Sequence, residues 1–207
     1  HRDLHSFPTR RSSDLCDAVP RYYSLYPDFR LPLREMEGLL SERTKVILIN
    51  SPANPTGAVF GEEELRAVGA MADRVGAVLI SDEIYDEFVY DAPFVSPCRY
   101  SDRSLVLGGF SKTYGIAGWR LGFALGPEEL IDQMRTVQQF TYVCAPTPLQ
   151  KAILDTWGLD MSAFIEAYRR KRAILVDGLS GLFRLAPPRS EERRVGKECR
   201  SRWRTDH

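Results

Sequence analysis

Residues 45–57 read KVILINSPANPTG, an apolar run that breaks into a cluster of turn formers. An unalternating run such as Lys45 to Asn50 is expected to form a strand buried on both faces, as in the interior of a parallel sheet. The following Ser51 to Gly57 carries two prolines, an asparagine and a glycine, which end the strand and turn the chain. Glu62 to Val75 then reads as an amphipathic helix, with Leu65, Val68, Met71, Ala72 and Val75 at helical spacing. Glu62, Glu63 and Glu64 suit its positive N-terminal end, and Gly76 stops it.

Outward from this unit the alternation continues. Val19 to Leu25 is expected to be a short strand. Ala77 to Ser81 and Ser104 to Leu107 read as further buried strands, the first ending at Asp82 and the second entering a loop from Gly108 to Gly118. Trp119 to Leu125 reads as a fourth strand. A helix is expected from Pro127 to about Val143, another from near Pro148, and a long one over about Met161 to Leu182. Strands separated by helices predict an α/β protein with a parallel or mostly parallel sheet flanked by helices. Ligands of such sheets gather at the C-terminal ends of the strands. Three successive strand ends deliver Asn54, Asp82 and Lys112 there.

The two ends differ from the middle. HSFPTRRSSDL near the start and SEERRVGKECRSRW near the end show neither helical nor strand periodicity, and both resemble translated sequencing-adapter sequence. Residues 1–15 and 190–207 are therefore expected to be non-native tails. They hold 9 of the 28 basic and 6 of the 28 acidic residues, which leaves 19 against 22 over residues 16–189. That balance gives no electrostatic case for nucleic acid. No apolar run reaches the ~20 residues of a membrane helix. All three histidines (His1, His5, His207) lie in the tails, so residues 16–189 offer none for a Ser/His or Cys/His nucleophile or a histidine metal site. Cys16, Cys98, Cys144 and Cys199 form no closely spaced pair, which argues against a metal or redox motif and for reduced thiols in a cytoplasmic protein.

Acid–base chemistry must then come from other side chains. Lys112 sits in GGFSKTYGIAGWR (108–120), a glycine-rich loop with no other charge before Arg120. A lysine partly desolvated beside another cation loses basicity and becomes a nucleophile suited to Schiff-base formation. Taken singly, Lys112 reads as a surface-loop lysine, Asp82 as a helix N-cap, Asn54 as an Asx-turn residue, Tyr85 as a core tyrosine and Arg120 as half of a surface ion pair.

Together these motifs resemble the class I/II, fold type I, aminotransferases that depend on pyridoxal 5'-phosphate (PLP). Gly109-Phe-Ser-Lys112, with Gly115, Gly118, Arg120 and Gly122 beyond it, resembles the family's PLP-attachment signature. Asn54-Pro-Thr-Gly57 resembles its NPTG turn, and Ser81-Asp-Glu-Ile-Tyr85 its D-E-x-Y element. The likeness spans about residues 16–189. It implies a PLP-dependent transferase-like large domain, truncated at both ends, over residues 16–159. An interdomain helix and the start of a small domain are implied over 160–189. It also implies transfer of an amino group between an amino acid and a 2-oxo acid, with Lys112 holding PLP as a Schiff base and then moving the proton. Asp82 would accept from the pyridinium nitrogen, Tyr85 and Asn54 would donate to the phenolic oxygen, and Arg120 and Ser111 would hold the phosphate. Many relatives have a second serine where this chain has Gly109, which makes the phosphate contact of Ser111 less secure. Asn54–Pro55 is a candidate cis peptide by the same likeness.

The family's chain is roughly twice as long. Its N-terminal half supplies a glycine-rich phosphate loop and a ring-stacking aromatic, and its small domain supplies an arginine for the substrate carboxylate. None can be placed here, so the 207-residue chain is expected to be inactive or nearly so, and the full-length protein to be a homodimer. Two further readings share the motif set: another fold type I PLP enzyme, such as a C–S lyase or a decarboxylase, and the PLP-sensing domain of a transcriptional regulator.

Overall fold

The computed structural model describes residues 13–183 and Leu185; most of both expected tails, residues 1–12 and 190–207, lies outside the described residues. Three strands, β1 (Val46–Asn50), β2 (Val78–Asp82) and β3 (Ser104–Gly109), pair in parallel in chain order, and β4 (Gly122–Leu125) pairs antiparallel with β3. The register sets Asn50 beside Asp82 and Asp82 beside Leu107, so these strand ends are level. The helices bounded on both sides within the described residues are α1 (Leu33–Leu39), α2 (Glu62–Val75), α3 (Glu128–Thr141), α4 (Thr147–Thr156) and α5 (Ser162–Ser180).

Helix α2 has the bounds its periodicity predicts. Glu64 reaches back from its first turn, accepting from the Gly61 N–H at 2.8 Å and the Leu31 N–H at 3.1 Å. Gly76 ends it in the left-handed region at φ 67°. The apolar stripe Leu65, Val68 and Ala72 is fully buried, in one core with Ile47, Ile49 and Leu79 of the sheet and Met36 of α1. A second cluster gathers Phe110, Leu121 and Ile153, with Trp119 and Phe123 packed against it.

Three expectations need correction, and one element was not foreseen. The strands β1 and β2 are not buried on both faces: Ile47, Ile49, Leu79 and Ser81 are buried, while Leu48 and Ile80 on the other face are half-buried and Val46 at the edge is exposed. Helix α2 covers one face only. The stretch 19–25 forms no strand. Its Tyr23 instead donates its hydroxyl to the Leu48 carbonyl at 3.4 Å, and with Leu25 it packs against the core, so side chains rather than a ladder hold it. The fourth strand begins at Gly122 and not at Trp119, which lies in a 3₁₀ turn (Ala117–Trp119). Its direction follows from the connection: a parallel return needs a long crossover, usually helical, and residues 110–121 supply only short turns. Helix α1 was not expected; its seven residues are too few to show a period.

Candidate active site at three strand ends

The site is built on the level ends of β1, β2 and β3. Beyond β1 the chain turns through Ser51–Gly57, where the Gly57 N–H donates to the Ala53 carbonyl at 2.7 Å and the Ala53 N–H to the Ala58 carbonyl at 2.8 Å. Gly57 has φ 71°, a value that suits glycine. The Asn54–Pro55 bond is cis, as the motif implies, and so are Ser51–Pro52 and Tyr26–Pro27. This turn leaves Asn54 exposed at its crest.

At the end of β2, Asp82 is half-buried and its carboxylate accepts from the Ile84 N–H at 3.3 Å, so it does cap a turn. Among the described residues no lysine or arginine forms an ion pair with it. Burial pushes its carboxyl above the ordinary range, and the Ile84 N–H only partly offsets this. Glu83 and Asp86 are pushed up by burial as well. The turn Ile84–Glu87 carries Tyr85 into the interior, 3% exposed, with its ring edge-on to Phe88 at 6.4 Å. Its hydroxyl faces out of that core and lies 3.5 Å from the Asn54 side-chain amide, which donates to it.

Beyond β3 the chain turns tightly, the Tyr114 N–H donating to the Phe110 carbonyl at 3.2 Å and the Gly115 N–H to the Lys112 carbonyl at 3.3 Å. The Lys112 amine sits over the Tyr85 ring, 5.1 Å from its centroid. Asn54, Tyr85 and Lys112, from three separate strand ends, are thus brought together. Lys112 is exposed, so the desolvation expected for its amine is not supplied by the described residues. Ser111 is half-buried beside it. Arg120 follows the 3₁₀ turn with φ 56° and donates to the Ala117 carbonyl at 3.1 Å, within its own loop. Among the described residues it pairs with no carboxylate, contrary to the surface ion pair that a lone arginine suggests.

One member of the constellation escaped the sequence reading. Asn50, the last residue of β1, accepts from the Asn54 N–H at 2.9 Å and donates to the Asp82 carbonyl at 3.3 Å. Its only signal is a polar residue closing an apolar run. A cavity of about 490 Å³ lies beside the site and not on it: Thr113 and Tyr114 line it with Tyr90, Met161 and Arg169, but Lys112, Asp82 and Asn54 do not.

An α/β sheet that brings an amide, a carboxylate with a phenol, and an amine to three successive strand ends has the donor set that a lysine-anchored coenzyme needs. The chain belongs to the class I and II aminotransferases, whose family pattern matches residues 9–185. It is 36% identical over 155 residues to the aspartate aminotransferase of Thermotoga maritima, an alignment covering 73% of this chain and 41% of that one. Over 150 residues it is 37% identical to the aspartate/prephenate aminotransferase of Thermus thermophilus, with 69% and 39% covered. The solved structure of Thermus thermophilus aspartate aminotransferase with maleate superposes with a TM-score of 0.78 at 32% identity, covering 84% of this chain and 48% of that one. The chain thus spans about two fifths of the length of the curated relatives it matches.

The family's coenzyme is PLP, and the donor set fits it. Among the described residues Asp82 is a half-buried carboxylate without a cationic partner, which suits a protonated ring nitrogen, and Arg120 pairs with no carboxylate, which suits a phosphate; an amide and a phenol that meet at 3.5 Å suit a shared oxygen. Among the described residues no group of histidine, cysteine, aspartate or glutamate side chains is arranged to hold a metal ion, and no helix is long and apolar enough to cross a membrane.

Proposed function

We propose that the protein carrying this chain is an aminotransferase that moves an amino group between an amino acid and a 2-oxo acid with PLP anchored at Lys112. The observation that carries this reading is the meeting of Lys112, Tyr85 and Asn54 from three strand ends, with Asp82, which forms no ion pair among the described residues, on the strand between. Bound there, PLP supplies an electron-accepting ring that stabilises negative charge developing at the substrate's Cα.

Each side chain has a distinct task. Lys112 provides the primary amine that fixes the coenzyme, and once released it is the base that moves a proton to and from the substrate carbon. Asp82 holds the proton on the ring nitrogen, and the burial that makes its own charge costly strengthens its pairing with a cation. Tyr85 and Asn54 donate to the ring's phenolic oxygen and favour its anionic form. Arg120 forms a charge-assisted bond to the phosphate, with Ser111 as a second donor.

The reading extends to a cytoplasmic homodimer when full length, in which residues 16–159 belong to the coenzyme-binding domain and 160–189 begin a second one. The test is borohydride reduction of the full-length protein with PLP, followed by peptide mapping and by assay against a panel of amino acids and 2-oxo acids. Coenzyme fixed on Lys112 with amino-group exchange supports the proposal. Label on another residue, or on none, overturns it, and label on Lys112 with elimination or decarboxylation in place of exchange redirects it to another PLP reaction.

A further inference from the structure

We propose that Asn50 is a positioning residue for the coenzyme site, setting the place of Asn54 relative to the end of β2. It touches none of the groups that would contact the coenzyme through its own reacting atoms. It acts on two of them through backbone: its carbonyl oxygen accepts the Asn54 N–H at 2.9 Å, and its amide donates to the Asp82 carbonyl at 3.3 Å. One short planar group therefore spans from the NPTG turn to the neighbouring strand.

Few side chains can do this. The bridge needs an acceptor and a donor on the same terminus, within reach of two fixed backbone groups. Aspartate has the acceptor but would set a carboxylate against the Asp82 carbonyl, and serine is too short to span both. The register demands this position, because Asn50 is paired with Asp82 across the sheet. The Ser51 N–H converges on the same carbonyl at 3.2 Å, which fixes the base of the turn. The crest is different. Asn54 and Pro55 are both exposed, so burial does not hold them, and the Asn54 N–H depends on Asn50 for its bond. The amide that Asn54 offers beside the Tyr85 hydroxyl at 3.5 Å is placed by this bond.

The inference rests on the proposed PLP role of Lys112 and Asn54. Its test uses the full-length protein, PLP, and two readouts other than turnover: the dissociation constant for PLP, and the pH at which the bound chromophore changes its absorbance. A donor to an oxygen favours the anionic form, so losing the donor raises that pH. Asn54→Ala should move it upward and weaken PLP binding roughly fivefold, as for one lost hydrogen bond. Asn50→Ala should shift it in the same direction, and the double variant should match Asn54→Ala alone, since both substitutions remove one effect. Asn50→Ser, which keeps a polar group at the strand end, should give the same shift and serves if the alanine variant does not fold. Additive shifts in the double variant, or an Asn50 variant that is less stable but titrates as the parent does, overturn the positioning role while leaving the coenzyme assignment intact. Borohydride label absent from Lys112 in the parent protein brings down both.

Discussion

The Lys112 amine lies 5.1 Å above the centre of the Tyr85 ring, although 26 residues and a strand separate the two in the chain. The ring is buried against Phe88, and Phe88 is packed edge-on by Phe164 and Tyr168 of α5 at 6.4 and 5.8 Å. The platform under the amine is therefore packed from beneath by aromatic rings, while the hydroxyl at its rim meets the Asn54 amide. Ring and hydroxyl can be separated by mutation.

Tyr85→Phe keeps the ring and its contact with Phe88 but removes the hydroxyl that Asn54 meets. The thermal midpoint should change little, because no core volume is lost. PLP binding should weaken by roughly fivefold to tenfold, the cost of one hydrogen bond. Borohydride should still label Lys112. Melting curves and a PLP titration check all three; a large fall in stability would show that the hydroxyl serves the fold.

Gly69 sits mid-helix in α2, where glycine is a poor choice on propensity alone. A Cβ there would collide with the backbone carbonyl of Tyr100 and lie 2.7 Å from the Tyr100 Cβ. Backbone cannot swing aside as a flexible side chain can. Gly69→Ala should therefore destabilise the chain by about 1–3 kcal/mol despite the better helix former. Chemical denaturation measures it, and a stabilised variant would contradict this packing.

Gly69 also marks where the sequence stops being legible. The bounds of α2 follow from its period and its terminal residues, and the order of β1, β2 and β3 from apolar runs between turn formers. Six site residues could be named because each lies in a local motif. What lies beyond is set by tertiary placement: the antiparallel β4, the one-sided burial of β1, the exposure of Lys112 and the bridge made by Asn50. A strand's neighbour and a side chain's cover are properties of distant segments, and no local pattern carries them. Tyr23 shows the same limit. Its stretch reads as a strand, yet burial of the phenol, which pushes its pKa up to about 12, is what ties it to the core.

The long helix α5 is held by a different kind of contact. Arg172 makes two bonds to the Asp91 carboxylate, at 2.7 and 3.2 Å, with its guanidinium 5.4 Å from the centre of the Tyr90 ring. Arg172 is only 20% exposed, so the pair is partly shielded from solvent. Arg172→Lys keeps the charge and loses the fork that grips both oxygens and stacks on the ring. Amide hydrogen exchange along Ser162–Ser180 should rise while α2 is unchanged. Equal protection in both helices would mean that the aromatic contacts alone secure α5.

The proposed role of Asp82 sets coenzyme binding and stability in opposition, and the sign can be worked out. Its folded pKa is raised by burial, as are those of Glu83 and Asp86. Between the ordinary carboxylate pKa and the raised folded value, the folded state binds more protons than the unfolded one, so stability falls as pH rises through that window. Glu62 and Asp160 are shifted downward, but their effect belongs to the range below the ordinary value and they are fully exposed to solvent, so the two windows do not overlap. Without coenzyme, the melting temperature should therefore rise as pH is lowered from neutral toward the ordinary carboxylate range. Asp82→Asn should flatten part of that slope and raise the midpoint at neutral pH, because the buried charge is gone. The same substitution should weaken PLP binding, since a neutral amide pairs less strongly with a protonated ring nitrogen. Added PLP should then stabilise the parent protein more than the variant, reversing their order at neutral pH. Melts with and without PLP across this range decide the matter: a variant less stable than the parent in the absence of coenzyme would mean that Asp82 is kept for the turn it caps through Ile84, and not for a ligand's charge.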